Sequence, residues 1–452
     1  MTQTILRFAL AVTALAVATE RTLAIPAQQP DQILRSSDSS ELGQYGHSLA
    51  LHGDRMIVGS IGSSGASEYS GAAYILERSS TLSDFVEVKK VWNVEPGLYQ
   101  FGWRVALHDD VAAAISQFHS TPPQPVSGSN GILVYERNNL GEWAEADQLF
   151  PSDGHPADGF GTSLSAGENT LIAGASLKRG DNFGEGAAYI FERSALGGWS
   201  ETAKLTASNA SQDDHFGYSA SVDSGFSVVG APRSANGELG PRSGSAYVFK
   251  RDAVGNWTEQ VELKPSDPML SDGFGFSVAI SGDTIVVGAP GHSENGQFSG
   301  AAYIFQRTND QWLETAKLTF LGPPFRRPPG FGQSVDIDNG LIVVAGGASS
   351  SGSDGRVIMT YEESAMGEWK EMALLKADNF FQQGNSIMPV SVSGGTVAIA
   401  DYFSPDGDRQ DVGAALVFQQ VVPEPSSLGC WFLAVVILAS RRRGYSFASW
   451  QA

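Results

Sequence analysis

The chain of 452 residues carries 49 Asp plus Glu against 29 Lys plus Arg, a net charge of −20, with 52 Gly and a single Cys. Such an acidic chain does not coat phosphates, which require clustered Lys and Arg, and we expect no nucleic-acid partner. A lone Cys430 admits neither an internal disulfide nor a thiolate metal cage. Only 17% of residues are charged and 42% are hydrophobic, which argues for a sizeable core of short strands joined by tight turns rather than long surface helices.

At the N-terminus, Arg7 precedes the apolar run from Phe8 to Ala18, and small-residue sites follow at Ala16-Val-Ala18 and Thr22-Leu-Ala24. This layout predicts a secretory signal peptide over residues 1–24, since the run is short for a bilayer span. From residue 31 the chain repeats. An aromatic-Gly pair recurs at Tyr45-Gly46, Phe101-Gly102, Phe160-Gly161, Phe216-Gly217, Phe274-Gly275 and Phe331-Gly332, with a degenerate seventh copy at Gln383-Gly384. An interval in this range signals a repeat architecture and decides the fold.

The copy beginning at Phe274 shows the internal grammar. Phe274-Gly-Phe-Ser-Val-Ala-Ile-Ser281 alternates as a strand does, Gly282-Asp283 makes a turn, and Ile285-Val-Val-Gly-Ala-Pro290 is a β-branched run. Gly300-Ala-Ala-Tyr-Ile-Phe305 gives a third strand and Trp312-Leu-Glu-Thr-Ala-Lys-Leu318 a fourth. Trp143, Trp199, Trp257 and Trp369 mark the same fourth strand elsewhere, each followed two residues later by Glu and six later by Leu. Four antiparallel strands per unit, seven times over, predict a seven-bladed β-propeller across residues 25–420. The seventh unit stops at Phe418 without a fourth strand. Leu34 precedes Gly46 by the distance that Leu149 precedes Gly161, so residues 31–35 are expected to complete the last blade and close the ring.

Phe-Gly at the start and Gly-Ala-Pro after the second strand, complete at Gly230-Ala-Pro232 and Gly288-Ala-Pro290, resemble the FG-GAP repeats of integrin α-chain propellers. Kelch repeats have a similar period but lack this spacing. The resemblance implies adhesion or matrix binding. Many FG-GAP blades carry an Asp-x-Asp-x-Asp-Gly calcium loop. Here the turn holds about one carboxylate (Gly53-Asp54, Gly167-Glu168, Asp223-Ser224, Gly282-Asp283), too few for a cation that takes six to eight oxygens. We therefore expect the short, calcium-loop-lacking variety, with no cofactor and at most weak calcium binding.

The remaining chemistry is thin. Acids before the Phe-Gly pairs (Asp158, Asp213-Asp214, Asp272) read as turn residues, and the repeated Trp and Phe as packing. The seven histidines show no His-x-x-x-His spacing, and there is no Gly-x-Ser-x-Gly elbow or P-loop. No catalytic or metal residue is assigned and a non-enzyme is expected. The alternative is a propeller glycosidase or polysaccharide lyase using carboxylates near the central axis. Two or more carboxylates about 5–10 Å apart in a central cleft would favour the enzyme, and an axis lined by small apolar residues, with variable loops outside, the binding protein. Of the loops that break the repeat, 322–330 carries the basic pair Arg326-Arg327, a candidate binding loop for a polysaccharide or protein ligand.

The C-terminus, residues 421–452, begins with Val422-Pro423-Glu424-Pro425, continues with an apolar run from Leu428 to Ala439 and reaches Arg441-Arg442-Arg443. An apolar segment closed by arginines behaves as a membrane stop. The arrangement resembles the PEP-CTERM sorting signal, which implies a membrane contact before processing, an exosortase-type enzyme as partner, and delivery to the cell surface, outer membrane or extracellular matrix of a Gram-negative-type bacterium.

Overall fold

The computed structural model describes residues 27–419 apart from 39–41, 66–69, 82, 94–98, 118–130, 236–241, 297, 321–329, 348–355, 377–387, 407–408 and 410. Residues 1–24, the Arg326-Arg327 pair, the degenerate Gln383-Gly384 copy and the whole C-terminal signal with Pro423, Glu424, Pro425, Arg441, Arg442 and Arg443 lie outside the described residues.

The sequence repeat becomes seven antiparallel sheets. In the first, Tyr45–His52, Arg55–Ser60, Ala72–Glu77 and Val86–Val91 follow one another in space as in sequence. Blades two to six repeat this order over residues 99–149, 160–205, 219–263, 277–318 and 334–375. The first strands of successive blades touch one another all the way round, the seventh (Val390–Ser393) meeting the first (Tyr45–His52), so the ring is closed. This is the seven-bladed, all-β propeller that the spacing predicts.

Closure comes from the N-terminus, as expected. Gln32–Leu34 pairs antiparallel with Ala414–Phe418 in the register Gln32↔Val417, Ile33↔Leu416 and Leu34↔Ala415, and supplies the missing fourth strand of blade seven. Arg35 donates from Nη1 and Nη2 to the carbonyls of Gly413 and Pro405, each at 2.9 Å. The preceding pair Ala27–Gln28 lies parallel to Leu374–Leu375 and widens blade six to five strands, an addition no periodicity announces.

The core lies between blades rather than at one centre. Along the third strand of blade one, Ala72, Tyr74 and Leu76 pack toward blade seven while Ala73 and Ile75 pack toward blade two, the two-residue alternation of a strand with both faces buried. The Phe-Gly pair joins one blade to the next. Its aromatic ring meets the third-strand Tyr of its own blade edge-on, at 5.5 Å for Phe216–Tyr247 and for Phe274–Tyr303. Its backbone forms a parallel bridge to the glycine ahead of the preceding blade's third strand, as in Gly244↔Phe274. The glycine of Gly-Ala-Pro completes the join. A Cβ on Gly230 would stand 2.0 Å from the Gly275 carbonyl oxygen of blade five, so only glycine lets the blades approach this closely.

The repeated Trp and Glu are structural as well. Trp257 Nε1 (3.1 Å) and Arg251 Nε (2.6 Å) both donate to Glu192 of the neighbouring blade; Trp143 with Arg137 on Glu77, and Trp199 with Arg193 on Glu136, repeat the clamp. The Glu two residues after Trp accepts from the backbone N–H and hydroxyl of a serine in the loop entering its blade. Glu201–Ser152, Glu259–Ser208 and Glu314–Ser266 share this bond, and Glu87–Ser37 takes its place in blade one.

Candidate functional site

The first strands line a channel along the ring axis, and their sequence determines its character. Its middle is apolar, with Leu49, Val105, Leu164, Ala220, Val278, Val335 and Val390 contributed one per blade. In four blades a backbone N–H on the edge of the first strand is satisfied by a serine of the neighbouring blade. Ser165 accepts from Val222 N, Ser221 from Ile280 N, Ser334 from Val390 N and Ser391 from Leu51 N.

Axial carboxylates serve the same purpose. Asp223 accepts from Gly282 N at 2.7 Å and Asp338 from Gly394 N at 2.8 Å. Asp336 accepts from Val392 N, the Ser391 hydroxyl and Ile337 N; burial pushes its carboxyl up to about 6 against those bonds. A shifted carboxyl on a propeller axis has the look of a general acid. All three acids accept bonds from backbone groups of the ring.

One mouth of the channel is a cavity of about 480 Å³ lined by the residue after each Phe-Gly pair: His47, Trp103, Thr162, Tyr218, Phe276 and Gln333. Tyr402 from blade seven joins them. His47 lies 4.5 Å from the Trp103 ring and 5.0 Å from that of Tyr402, and Tyr218 lies 5.0 Å from Phe276. The next position along is Ser48, Ser163, Ser219, Ser277 and Ser334 in five blades, the first four bonded to the carbonyl of the Phe-Gly glycine one blade on.

Blade two has Arg104 at that position. Its Nε donates to Thr162 O (3.0 Å), its Nη1 to Trp103 O (2.9 Å), and the guanidinium carbon stands 5.1 Å from the centre of the Trp103 ring. Among the described residues no carboxylate forms an ion pair with it. Burial lowers its pKa, with Tyr218 and Tyr402 opposing. Burial, and then the positive charge of Arg104, hold the His47 imidazole down to about 3, so it is neutral at physiological pH.

The acids before the Phe-Gly pairs are turn residues, as expected. Asp158, Asp214 and Asp272 each accept from the backbone N–H three residues earlier, at His155, Ser211 and Met269. The residues of the aromatic mouth were not singled out by sequence, although they occupy one fixed place in the repeat and the Arg104 exception stands beside them.

Against known sequences, the FG-GAP repeat family is matched at residues 30–76, 143–191, 199–249 and 257–305. Each later match begins on the fourth strand of one blade and ends on the third strand of the next, so the sequence unit straddles two sheets. Integrin alpha-7 of Rattus norvegicus is 28% identical over 152 residues, covering 31% of this chain and 12% of that protein. Integrin alpha-7 of Homo sapiens is 28% identical over 162 residues, 32% of this chain and 13% of its own length. The chain therefore carries four FG-GAP repeats within a seven-bladed ring and has a weak homology to integrin alpha chains.

Proposed function

We propose that this protein is a non-catalytic binding or adhesion protein of the cell surface or extracellular matrix, and that the aromatic mouth of its axis receives an acidic ligand. The observation that carries the reading is Arg104, a guanidinium without a carboxylate partner among the described residues, set among His47, Trp103, Tyr218 and Tyr402 where five other blades have serine. Positions that break a repeat are where function is expected. Aromatic faces stack on sugar rings and a guanidinium pairs with a carboxylate in bidentate fashion, so a uronate-bearing surface or matrix polysaccharide fits both. The weak homology to integrin alpha chains and the backbone bonds of the axial acids support binding over hydrolysis.

Export rests on the signal-peptide character of residues 1–24. Sorting by an exosortase-type enzyme at a Gram-negative-type surface rests on Pro423-Glu424-Pro425 and Arg441–Arg443. The two-residue turns between first and second strands, such as Gly53-Asp54 and Gly282-Asp283, fit the variety of FG-GAP blade without calcium loops.

Arg104→Ser tests the site, because serine is the residue the repeat itself uses there. Titrated with oligogalacturonate, the native protein should bind. The variant should lose at least tenfold in affinity at unchanged thermal stability, and a neutral oligosaccharide should bind neither. Equal affinity of the two proteins for oligogalacturonate would remove the axial mouth as the site.

A further inference from the structure

At the opposite end of the channel, the last residue of the first strand follows a rule in four of the seven blades. Asp223, Ser281, Asp338 and Ser393 each accept a bond from the backbone N–H of the next blade's turn, at Gly282 (2.7 Å), Asn339 (3.3 Å), Gly394 (2.8 Å) and Gly53 (3.0 Å). Blade three has Gly167 there, with no side chain to offer, and blades one and two have His52 and His108. Neither imidazole takes up that bond among the described residues. The rings lie 4.1 Å apart, and Asp109 extends its carboxylate to His52 Nε2 (3.1 Å) and His108 Nε2 (3.8 Å). The donor atoms of all three residues lie within 4.8 Å of one another. Asp109 has a φ of +47°, at the turn position where blades one, five and seven have Gly53, Gly282 and Gly394, and in that backbone conformation its carboxylate faces the two rings.

We propose that His52, His108 and Asp109 form a binding site for a divalent transition-metal ion of the zinc, nickel or cobalt class. Two imidazole nitrogens and one carboxylate oxygen suit these borderline ions, whereas calcium and magnesium select all-oxygen sets. His52 and Asp109 are 34% and 66% exposed, so the site is open to ions from solvent. The three protein ligands leave at least one coordination position to water or a ligand. A second triad, Asp267, His292 and Glu294, has similar composition but already holds a cation. Lys317 Nζ sits 2.6 Å from Asp267 and 3.2 Å from His292 Nε2, and pairs with Glu294.

Sequence inspection misses the site because its histidines are one repeat apart, 52 and 108, rather than one helical turn. The purified full chain, stripped with a chelator, should bind one equivalent of Zn²⁺ calorimetrically, and Co²⁺ should produce visible d–d bands from mixed nitrogen–oxygen coordination. His108→Ala and His52→Ala should each weaken Zn²⁺ binding at least tenfold and abolish the Co²⁺ bands, while His292→Ala leaves the bands unchanged. About a hundredfold excess of Ca²⁺ should not displace Co²⁺. Absence of binding by the native chain, or equal binding by the His52 and His108 variants, would overturn the assignment. Displacement by Ca²⁺ would overturn the ion class.

Discussion

The closing strand offers a test with its own internal control. Leu34 and Ile33 are adjacent on Gln32–Leu34 but face opposite ways. Leu34 is 7% exposed among Tyr45, Leu49, Tyr74, Ala400 and Val417, at the seam of blades seven and one, whereas Ile33 is 49% exposed. Leu34→Ala removes a buried isobutyl group and leaves a cavity among neighbours held by two sheets, a loss of about 3 kcal/mol. Leu34→Asp adds a carboxylate with no partner there, raising the cost above about 5 kcal/mol and into the range of the whole stability of a domain. Ile33→Asp, into solvent, should cost less than about 1 kcal/mol. Urea unfolding followed by tryptophan fluorescence measures all three, and Leu34→Asp should lose its cooperative transition while Ile33→Asp keeps it. Deleting residues 25–36 removes the strand, the Arg35 bonds and the Asp31 contacts with Val417 and Gln419, and should likewise abolish cooperative folding. Similar curves for the two aspartate variants, or unchanged melting of the truncated chain, would refute the closure argument.

Other perturbations probe the joins between blades and their titration. Gly230→Ala should destabilise by more than about 3 kcal/mol in thermal melts, because its Cβ meets the rigid Gly275 carbonyl at 2.0 Å and blades four and five must separate. Glu192→Ala should cost about 2–3 kcal/mol in urea, since Arg251 and the Trp257 N–H lose their shared acceptor; a change within 0.5 kcal/mol would mean the clamp is ornamental. The His47 imidazole has a folded pKa of about 3, below its unfolded value near 6.5, so its contribution is complete above pH 6.5 and is lost as pH falls toward 3. Stability measured between pH 7 and pH 4 should therefore fall less steeply in His47→Phe than in the native chain, and parallel slopes would contradict the burial of a neutral ring.

What was legible in the sequence is what the ring repeats. Strand positions and the Phe-Gly junction recur with fixed offsets, so the copies give the same answer and tertiary context cannot easily override it. Closure was readable because Leu34 keeps the offset from Gly46 that Leu149 keeps from Gly161, while the seventh unit lacks a fourth strand of its own. The addition of Ala27–Gln28 to blade six was not readable, since a two-residue parallel pairing has no period. The Glu after each Trp showed its recurrence but not its role, because its partner serine lies about fifty residues away in the entering loop.

The two axial ends were illegible for a related reason. Their side chains become neighbours only when blades stand side by side, so residues one repeat apart in sequence share a single site. Regularity then becomes a means of detection once the register is known. At the position after Phe-Gly-x, serine is the structural choice and Arg104 the exception. At the end of the first strand, Ser and Asp bond to the next turn and the adjacent pair His52 and His108 do not. Arg104 keeps a bond into the next blade, to Thr162 O, but adds a charge, and both exceptions lie on the axis, where seven strands converge and any one blade contributes a single side chain. A repeat fold separates residues that maintain the ring from residues free to differ, and the two charged or metal-competent departures fall at the two mouths.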